Sequence, residues 1–583
     1  MAAAQETGRW QRAARLQDLE GDGPHALSAG GVDLVALRGR AGLKVFEGRC
    51  PHQGALLGEG ELEADTLVCR NHRWKFERET GKRIGGRQCL KAFPTREQAG
   101  ELFVDLGALA GAVAAVGKRR IEDLPGPKGI PLLGNALQMD AQRLHLQLEG
   151  WAAKYGSPYS LRIGSRRVIV LSDPALAEPI FRARPDTYRR LSLIESLFGE
   201  MSLIGVFSAE GDEWRAQRRL AMEALSQRHL RGFYPTLEVV ASRLVRRWEK
   251  AADAGAVLDI AEELKRFTVD ITTQLVFGHD LNTLEKEEED GDAIQRHLEV
   301  FFPAINRRLN AVVPYWRWVR LPVDYRLDRA IVAIRAWISK RVDAARALLA
   351  ADPARVDAPA NFLEAMLVAR DSEGRPFSDD VVFGNALTML LAGEDTTAYT
   401  LAWAVHHLCE DPRATDALRS EATAVLGDLR VPRDLEQAAV LPYATAVANE
   451  SMRLRPVAAT FFFQPLRDVV VGDVAVPTGT TILILPRPPV LDAARFEDPH
   501  LFVPDRWIPG QRTGAHDVAA HIPFGTGPRI CPGRSLAILE MRVVLASLYR
   551  SFDVERVGDV ADVKEVLAFT MMPVGLRVRL RRR

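Results

Sequence analysis

A chain of 583 residues with a formal net charge of +1 and 47% hydrophobic residues is long enough for several domains and a large buried core. The near-neutral charge gives no sign of nucleic-acid binding, and five scattered cysteines are too few for a disulfide framework and point to a reducing compartment. The start MAAAQETGRW lacks the basic-then-apolar pattern of a secretion signal, and no apolar run reaches the length that spans a bilayer, about 20 residues; the expectation is a cytoplasmic protein with no membrane anchor.

From Trp10 to about Gly107 the chain reads as short apolar runs broken by glycines, among them Val32 to Leu37, Gly42 to Phe46 and Leu102 to Leu106. That spacing predicts a small all-β unit over residues 1–107. Two metal-like pairs lie inside it, Cys50-Pro51-His52 and Cys69-Arg70-Asn71-His72, with 16 residues between them. Two cysteines and two histidines fit a Cys₂His₂ zinc site. Zinc modules usually pair like with like, whereas each pair here is mixed. Mixed pairs suit a [2Fe–2S] cluster in which one iron takes two thiolates and the other two imidazoles. Gly54 and Leu57 complete a Cys-x-His-x-Gly-x-x-Leu pattern, and Trp74, Phe76, Thr80 and Gly81 follow the second pair. The region resembles a Rieske ferredoxin along nearly its whole length. It departs at Arg73, where many relatives carry glycine, and it lacks the extra loop cysteines of the high-potential respiratory kind. The resemblance implies metal ligation by Cys50, His52, Cys69 and His72, and a lower-potential cluster. Cys89 is expected to be a packed core residue.

Residues 108–124 hold a run of small residues, Gly111 to Gly117, and then Lys118-Arg119-Arg120. This reads as a linker, which if flexible spans roughly 20–25 Å. A stiff proline-rich entry, Leu124 to Pro131, follows. From Pro125 to the end the pattern is mostly helical, with strand pairs over Tyr159 to Val170 and Val469 to Leu485. Leu197 to Phe207, Val300 to Trp318 and Phe461-Phe462-Phe463 are apolar and aromatic; such clusters are more often core than binding site.

Trp214 and Arg218 stand one helical turn apart and face the same way. Ala392-Gly393-Glu394-Asp395-Thr396-Thr397 interrupts an otherwise apolar helix expected from about Ser378 to Cys409. Polar residues in a buried helix are costly without partners or a function, and a threonine hydroxyl can bond back to a carbonyl one turn earlier and open the helix slightly. Glu450 and Arg453 form an i,i+3 pair, and Arg506 follows in Pro504-Asp505-Arg506-Trp507. Near the end comes Phe524-Gly525-Thr526-Gly527-Pro528-Arg529-Ile530-Cys531-Pro532-Gly533, then a helical run from Ser535 to Tyr549. Backbone N–H groups at such a loop-to-helix junction favour a thiolate. A lone cysteine is usually a buried free thiol, but a thiolate held this way is a ligand for iron, here the axial ligand of a haem.

The spacing Phe-Gly-x-Gly-x-Arg-x-Cys-x-Gly resembles the haem-binding signature of the cytochrome P450 family. That resemblance implies a large mainly α (α+β) fold over 125–583 that binds haem b through Cys531, with Phe524 and Gly533 framing the loop. It implies that Trp214, Arg218 and Arg529 hold the haem propionates. Asp395 would be the acid and Thr396 the alcohol that relay protons toward dioxygen. Glu450, Arg453 and Arg506 would form a structural network. The chain departs from the family in two places. The Phe461–Phe463 triplet replaces an arginine that many relatives use for a propionate, and Arg487-Pro488-Pro489 stands where His-Arg-Asp is common.

Together these features predict a fused monooxygenase. The Rieske unit passes electrons to a haem-thiolate centre, which uses O2 to hydroxylate an apolar organic substrate such as a fatty acid or terpenoid. Tethering raises the donor's effective concentration to roughly the millimolar range. No Gly-x-Gly-x-x-Gly fingerprint follows a strand, so a separate NAD(P)H-dependent flavin reductase is expected as partner. Two other classes compete. A Rieske non-haem oxygenase needs two histidines and a carboxylate; His516 and His521 have the His-x4-His spacing, but Thr513 stands in the acid's place. A non-catalytic two-centre redox sensor needs no proton relay, against which Asp395 and Thr396 argue.

Overall fold

The computed structural model describes residues 10–29, 32–39, 42–48, 50–51, 56–70, 73–86, 88–106, 119–201, 203–286, 289–311, 313–371, 374–511 and 514–583. The N-terminal unit is built from ten strands: β1 (Trp10–Arg15), β2 (His25–Ala29), β3 (Val32–Gly39), β4 (Gly42–Glu47), β5 (Glu61–Glu63), β6 (Thr66–Val68), β7 (Lys75–Glu77), β8 (Ala92–Phe93), β9 (Thr95–Gln98) and β10 (Glu101–Asp105). They form three antiparallel sheets, β1-β10-β9, β2-β3-β4-β8 and β5-β6-β7. Alternation along β3 sends Val35 and Leu37 to one small core with Phe46 and Phe76, and Leu34 and Ala36 to another with Val45 and Leu102. The expected strands at Val32 to Leu37, Gly42 to Phe46 and Leu102 to Leu106 are all present, because each alternates and ends in turn residues.

Arg119–Arg120 (β11) already belongs to the large unit, pairing in parallel with Val474–Ala475, and the Arg119 guanidinium bonds both carboxylate oxygens of Asp473 at 2.8 and 2.7 Å. Residues 108–118 of the expected linker, and Gly107 before them, lie outside the described residues. The large unit carries a five-stranded sheet made of Tyr159–Ile163 (β12), Arg166–Leu171 (β13), Tyr188–Arg190 (β14), Phe461–Pro465 (β15) and Thr481–Ile484 (β16), in the order β12-β13-β16-β15-β14. Around it pack the helices. Those that build the site are α1 (Pro174–Arg182), α2 (Gly211–Ala224), α3 (Ile260–Phe277), α4 (Asp379–Leu408), α5 (Pro442–Leu454) and α6 (Arg534–Ser551).

The central helix is α4. Ser378 caps it by accepting from Val381 N, and Asp379 and Asp380 lie in its first turn, favourable for the helix dipole; His406 and His407 lie in its last turn, where burial keeps both neutral. It is apolar on all sides and buried along most of its length, as an interior helix must be. It packs closely along α3: a Cβ on Gly393 would lie 2.2 Å from Thr272 Cγ2, so only glycine fits there. Among the described residues no helix is long and apolar enough to cross a membrane.

Candidate functional site

The loop carrying Cys531 folds as it does because two glycines take left-handed backbone, Gly525 at φ 68° and Gly527 at φ 73°. A side chain on Gly527 would meet Phe181 O at 2.5 Å, so the loop can lie against the end of α1 only with glycine there. Cys531 N then donates to Phe524 O at 2.9 Å, and Gly533 starts α6 with no side chain between Cys531 Sγ and the open space beyond; a Cβ on Gly533 would stand 3.8 Å from the sulfur. Cys531 is enclosed by protein yet presents its surface to an internal cavity of about 410 Å³. Burial pushes its thiol up, opposed by the backbone N–H groups of Gly533 and Arg534 and by the charge of Arg218. The dipoles expected from the sequence are therefore in place, but burial outweighs them. A thiolate here needs a cation beside it, which a haem iron supplies.

Across the cavity runs α4, whose Ala392, Gly393, Thr396 and Thr397 line it. Thr396 Oγ1 donates to Ala392 O at 2.8 Å, the one-turn bond expected from the sequence. Asp395, its expected partner, is not among the cavity-lining residues. Its carboxyl bonds the Tyr399 hydroxyl, and burial pushes it up to about 6, with Lys265 of α3 pulling it down. Glu394 is 3% exposed, its Oε1 has no hydrogen-bond partner among the described residues, and burial followed by the charge of Asp395 holds it well above the usual carboxylate range. Lys265 bonds Glu299 at 2.6 Å and Glu262 at 3.3 Å, so α3 carries a chain of charges from the surface to these two acids. Sequence reasoning missed Glu394, Tyr399 and Lys265. The i,i+4 step from Asp395 to Tyr399 was visible, but Lys265 is brought in only by helix packing.

One end of the cavity is cationic. Trp214 and Arg218 on α2 and Arg529 in the loop all line it, as expected; Arg529 stacks over the Trp214 ring at 4.3 Å and bonds Ala209 O and Glu210 Oε2, and Arg218 donates to Ile530 O at 2.5 Å. Two further arginines, Arg184 and Arg190, line the same end. Burial pulls the guanidinium of Arg529 down to about 10 and that of Arg190 to about 9. Arg529 keeps Nε and one Nη without a partner among the described residues. Buried N–H groups left open toward an enclosed space fit an anionic ligand, so the thiol, the small-residue face of α4 and these arginines together fit a haem with its two carboxylates. Arg487 takes no part. It bonds Glu149 and Glu565 at distances of 2.6 to 3.0 Å, in an ion-pair cluster away from the cavity.

The remaining wall is aromatic. Phe198 stacks on Phe207 at 5.4 Å and Phe302 on Phe569 at 5.3 Å, and all four line the cavity with Phe461, Phe462 and Phe463. The apolar runs read as core thus also make a binding wall. Phe569 was missed; it sits at the tip of the hairpin Lys564–Ala568/Thr570–Val574 in left-handed backbone, φ 85°, a strained conformation for an aromatic residue.

Behind the loop, Glu450 accepts from Arg453 at 2.9 and 2.7 Å, from Arg506 at 3.1 Å, from Trp507 Nε1 at 2.8 Å and from Val503 N at 2.9 Å, all in the buried interior. The expected network is therefore assembled. Glu540, nine residues after Cys531, lines the cavity, bonds Thr397 and is pushed up to about 8 by burial. His516 and His521 instead pack on the Trp507 ring, both with centroids 4.7 Å away, and burial takes His521 down to about 3. Thr513 lies outside the described residues.

In the N-terminal unit Cys50 and Cys69 are buried in one cluster with Phe46, Leu57 and Phe76. Cys69 N donates to Trp74 O at 2.8 Å and Arg73 N to Cys69 O at 3.0 Å, closing the second loop. Paired buried thiols at the mouths of two loops fit a two-loop iron–sulfur centre. His52, Gly54 and His72 lie outside the described residues. Arg73 adopts φ 55°, the conformation glycine takes without cost, and its side chain is clasped by Glu61 and Glu63. Cys89 is exposed, which corrects the expectation of a core residue: it pairs antiparallel with Lys82 at the edge of the unit, its thiol near Thr80 O.

Comparison with known proteins agrees with this geometry. The family model described as Cytochrome P450 matches residues 124–580, and the one described as Rieske [2Fe-2S] domain matches residues 9–95. The chain is similar to the mitochondrial 25-hydroxyvitamin D-1 alpha hydroxylase of Rattus norvegicus, 30% identical over 480 residues, covering 78% of this chain and 92% of that protein. It is also similar to the self-sufficient cytochrome P450 monooxygenase CYP505E4 of Penicillium camemberti, 27% identical over 462 residues, 78% of this chain but 43% of that longer one. Among solved structures, that of the cytochrome P450 CYP102L1 superposes with a TM-score of 0.67 at 25% identity, covering 79% of this chain and 99% of that one.

Proposed function

The chain belongs to the cytochrome P450 family and carries a Rieske [2Fe-2S] domain ahead of the haem domain, and from this we propose that the Rieske unit hands electrons, one at a time, to the haem domain for hydroxylation of an apolar organic substrate. The observation that carries this reading is the cavity itself, with Cys531 on one side, the Ala392–Thr396 turn on the other and phenylalanines around the rest. When bound, the haem supplies dioxygen activation driven by two electrons and two protons. The residues do the remainder. Cys531 fixes the iron side. The aromatic wall selects a lipophile and excludes water, which strengthens every polar interaction left inside. The Thr396 hydroxyl, already bonded to Ala392 O, lines the cavity, where it can hold a water or pass a proton. Asp395 and Glu394 buffer protons behind it, and Lys265 links them to the surface acids Glu262 and Glu299.

The electrons themselves would come from NAD(P)H through a separate flavin reductase. Thr396→Ala tests the reading. The wild type should convert electrons into hydroxylated product, whereas the variant should consume electrons at a similar rate, form several-fold less product and release peroxide. Unchanged coupling in the variant would contradict the role of Thr396.

A further inference from the structure

We propose that Arg184 is the haem-carboxylate anchor that takes the place of the arginine missing from the Phe461–Phe463 strand. The inference rests on the haem reading above. Arg184 follows α1 in sequence, yet it is 4% exposed, and its Nε and one Nη have no hydrogen-bond partner among the described residues. Its guanidinium lies over the Phe463 ring, 4.7 Å from the centroid. The side chain that stands in the strand where an arginine is common therefore serves as the platform for an arginine delivered from another element.

Charge balance leads to the same place. Arg184, Arg190 and Arg529 face one another at this end of the cavity, and the one carboxylate that acts on all three is Glu210. Glu210 is already committed, accepting from Arg529 at 2.6 Å and from Arg190 N at 3.0 Å. Arg190 is also used, donating to Phe207 O at 3.0 Å and stacking on the Phe207 ring at 3.6 Å. Arg218, at the same end, is offset by the charge of Cys531; the other three buried cations against one anion leave two positive charges over, and a buried charge without a counter-charge is costly. The two carboxylates of a haem bring two negative charges. Among the described residues Arg184 has no hydrogen bond to give up, and it presents two open N–H groups, the fork that a carboxylate accepts.

The test uses the full-length protein loaded with haem or with haem dimethyl ester, whose carboxylates are masked, and follows transfer of each to a scavenging apoprotein. Wild type is compared with Arg184→Met and Arg184→Lys. Haem should leave Arg184→Met about tenfold faster or more, as loss of a charge-assisted contact predicts, and Arg184→Lys, which keeps the charge without the fork, should fall between. The ester should leave wild type and Arg184→Met at the same rate. A packing role would accelerate haem and ester alike, and that result, or unchanged haem release, overturns the proposal while leaving the haem reading intact. A wild-type protein that takes up no haem overturns both.

Discussion

Glu450→Ala is expected to yield no soluble, haem-loaded protein. Its carboxylate is the common acceptor for two guanidinium groups, an indole N–H and a backbone N–H, all in the buried interior. Breaking one buried ion pair by deleting a partner costs about 3–5 kcal/mol, and this deletion strands Arg453 and Arg506 together. The sum rivals the whole stability of a domain, about 5–15 kcal/mol. Arg453 would keep its bonds to the carbonyls of Val490, Pro499 and Leu501, but those cannot neutralise its charge. Glu450→Gln keeps the shape and the acceptor for Trp507 while losing the charge, so it should fold with a lowered melting temperature. Expression yield and thermal melting check both variants; an alanine variant melting within a few degrees of wild type would contradict the role given to this cluster.

Cys531→Ser is expected to abolish product formation while sparing the fold. The backbone bond from Cys531 N to Phe524 O does not involve the sulfur, so serine keeps it, and the serine hydroxyl can still accept from the Gly533 and Arg534 N–H groups that face the thiol. Serine cannot supply a thiolate, so the reduced, CO-treated variant should lose the spectrum of thiolate-ligated haem. Its iron–sulfur signal in electron paramagnetic resonance should match wild type, since the N-terminal unit has its own core. Retained hydroxylation with an unchanged CO spectrum would remove Cys531 from the account.

What the sequence revealed was mainly local. The ends of α4 follow from Ser378, the two aspartates behind it and the histidines at the far end; the loop before α6 follows from glycines whose backbone no other residue adopts cheaply. Strands such as β3 and β4 declare themselves by alternation. What stayed hidden was brought together by packing over long separations. Arg184 meets Phe463 from nearly 280 residues away, and Lys265 acts on Glu394 and Asp395 only because α3 and α4 pack along each other. Phe569 was illegible because a hairpin tip has no periodicity to mark which way it points. Cys89 was misplaced for the opposite reason: cysteine is usually buried, but this one follows the exposed turn at Gly85 and Gly86 and pairs with the exposed Lys82.

The most direct test of an electron path from cluster to haem on one chain is stepwise anaerobic reduction of the holoprotein under CO. The cluster is followed by electron paramagnetic resonance and the haem by its Soret band. The account predicts a thiolate-type CO complex, formed by electrons that pass first through the cluster, at a rate that does not change when the protein is diluted. An imidazole-type CO complex, zinc in the N-terminal site, or a transfer rate that falls in proportion to protein concentration would contradict it.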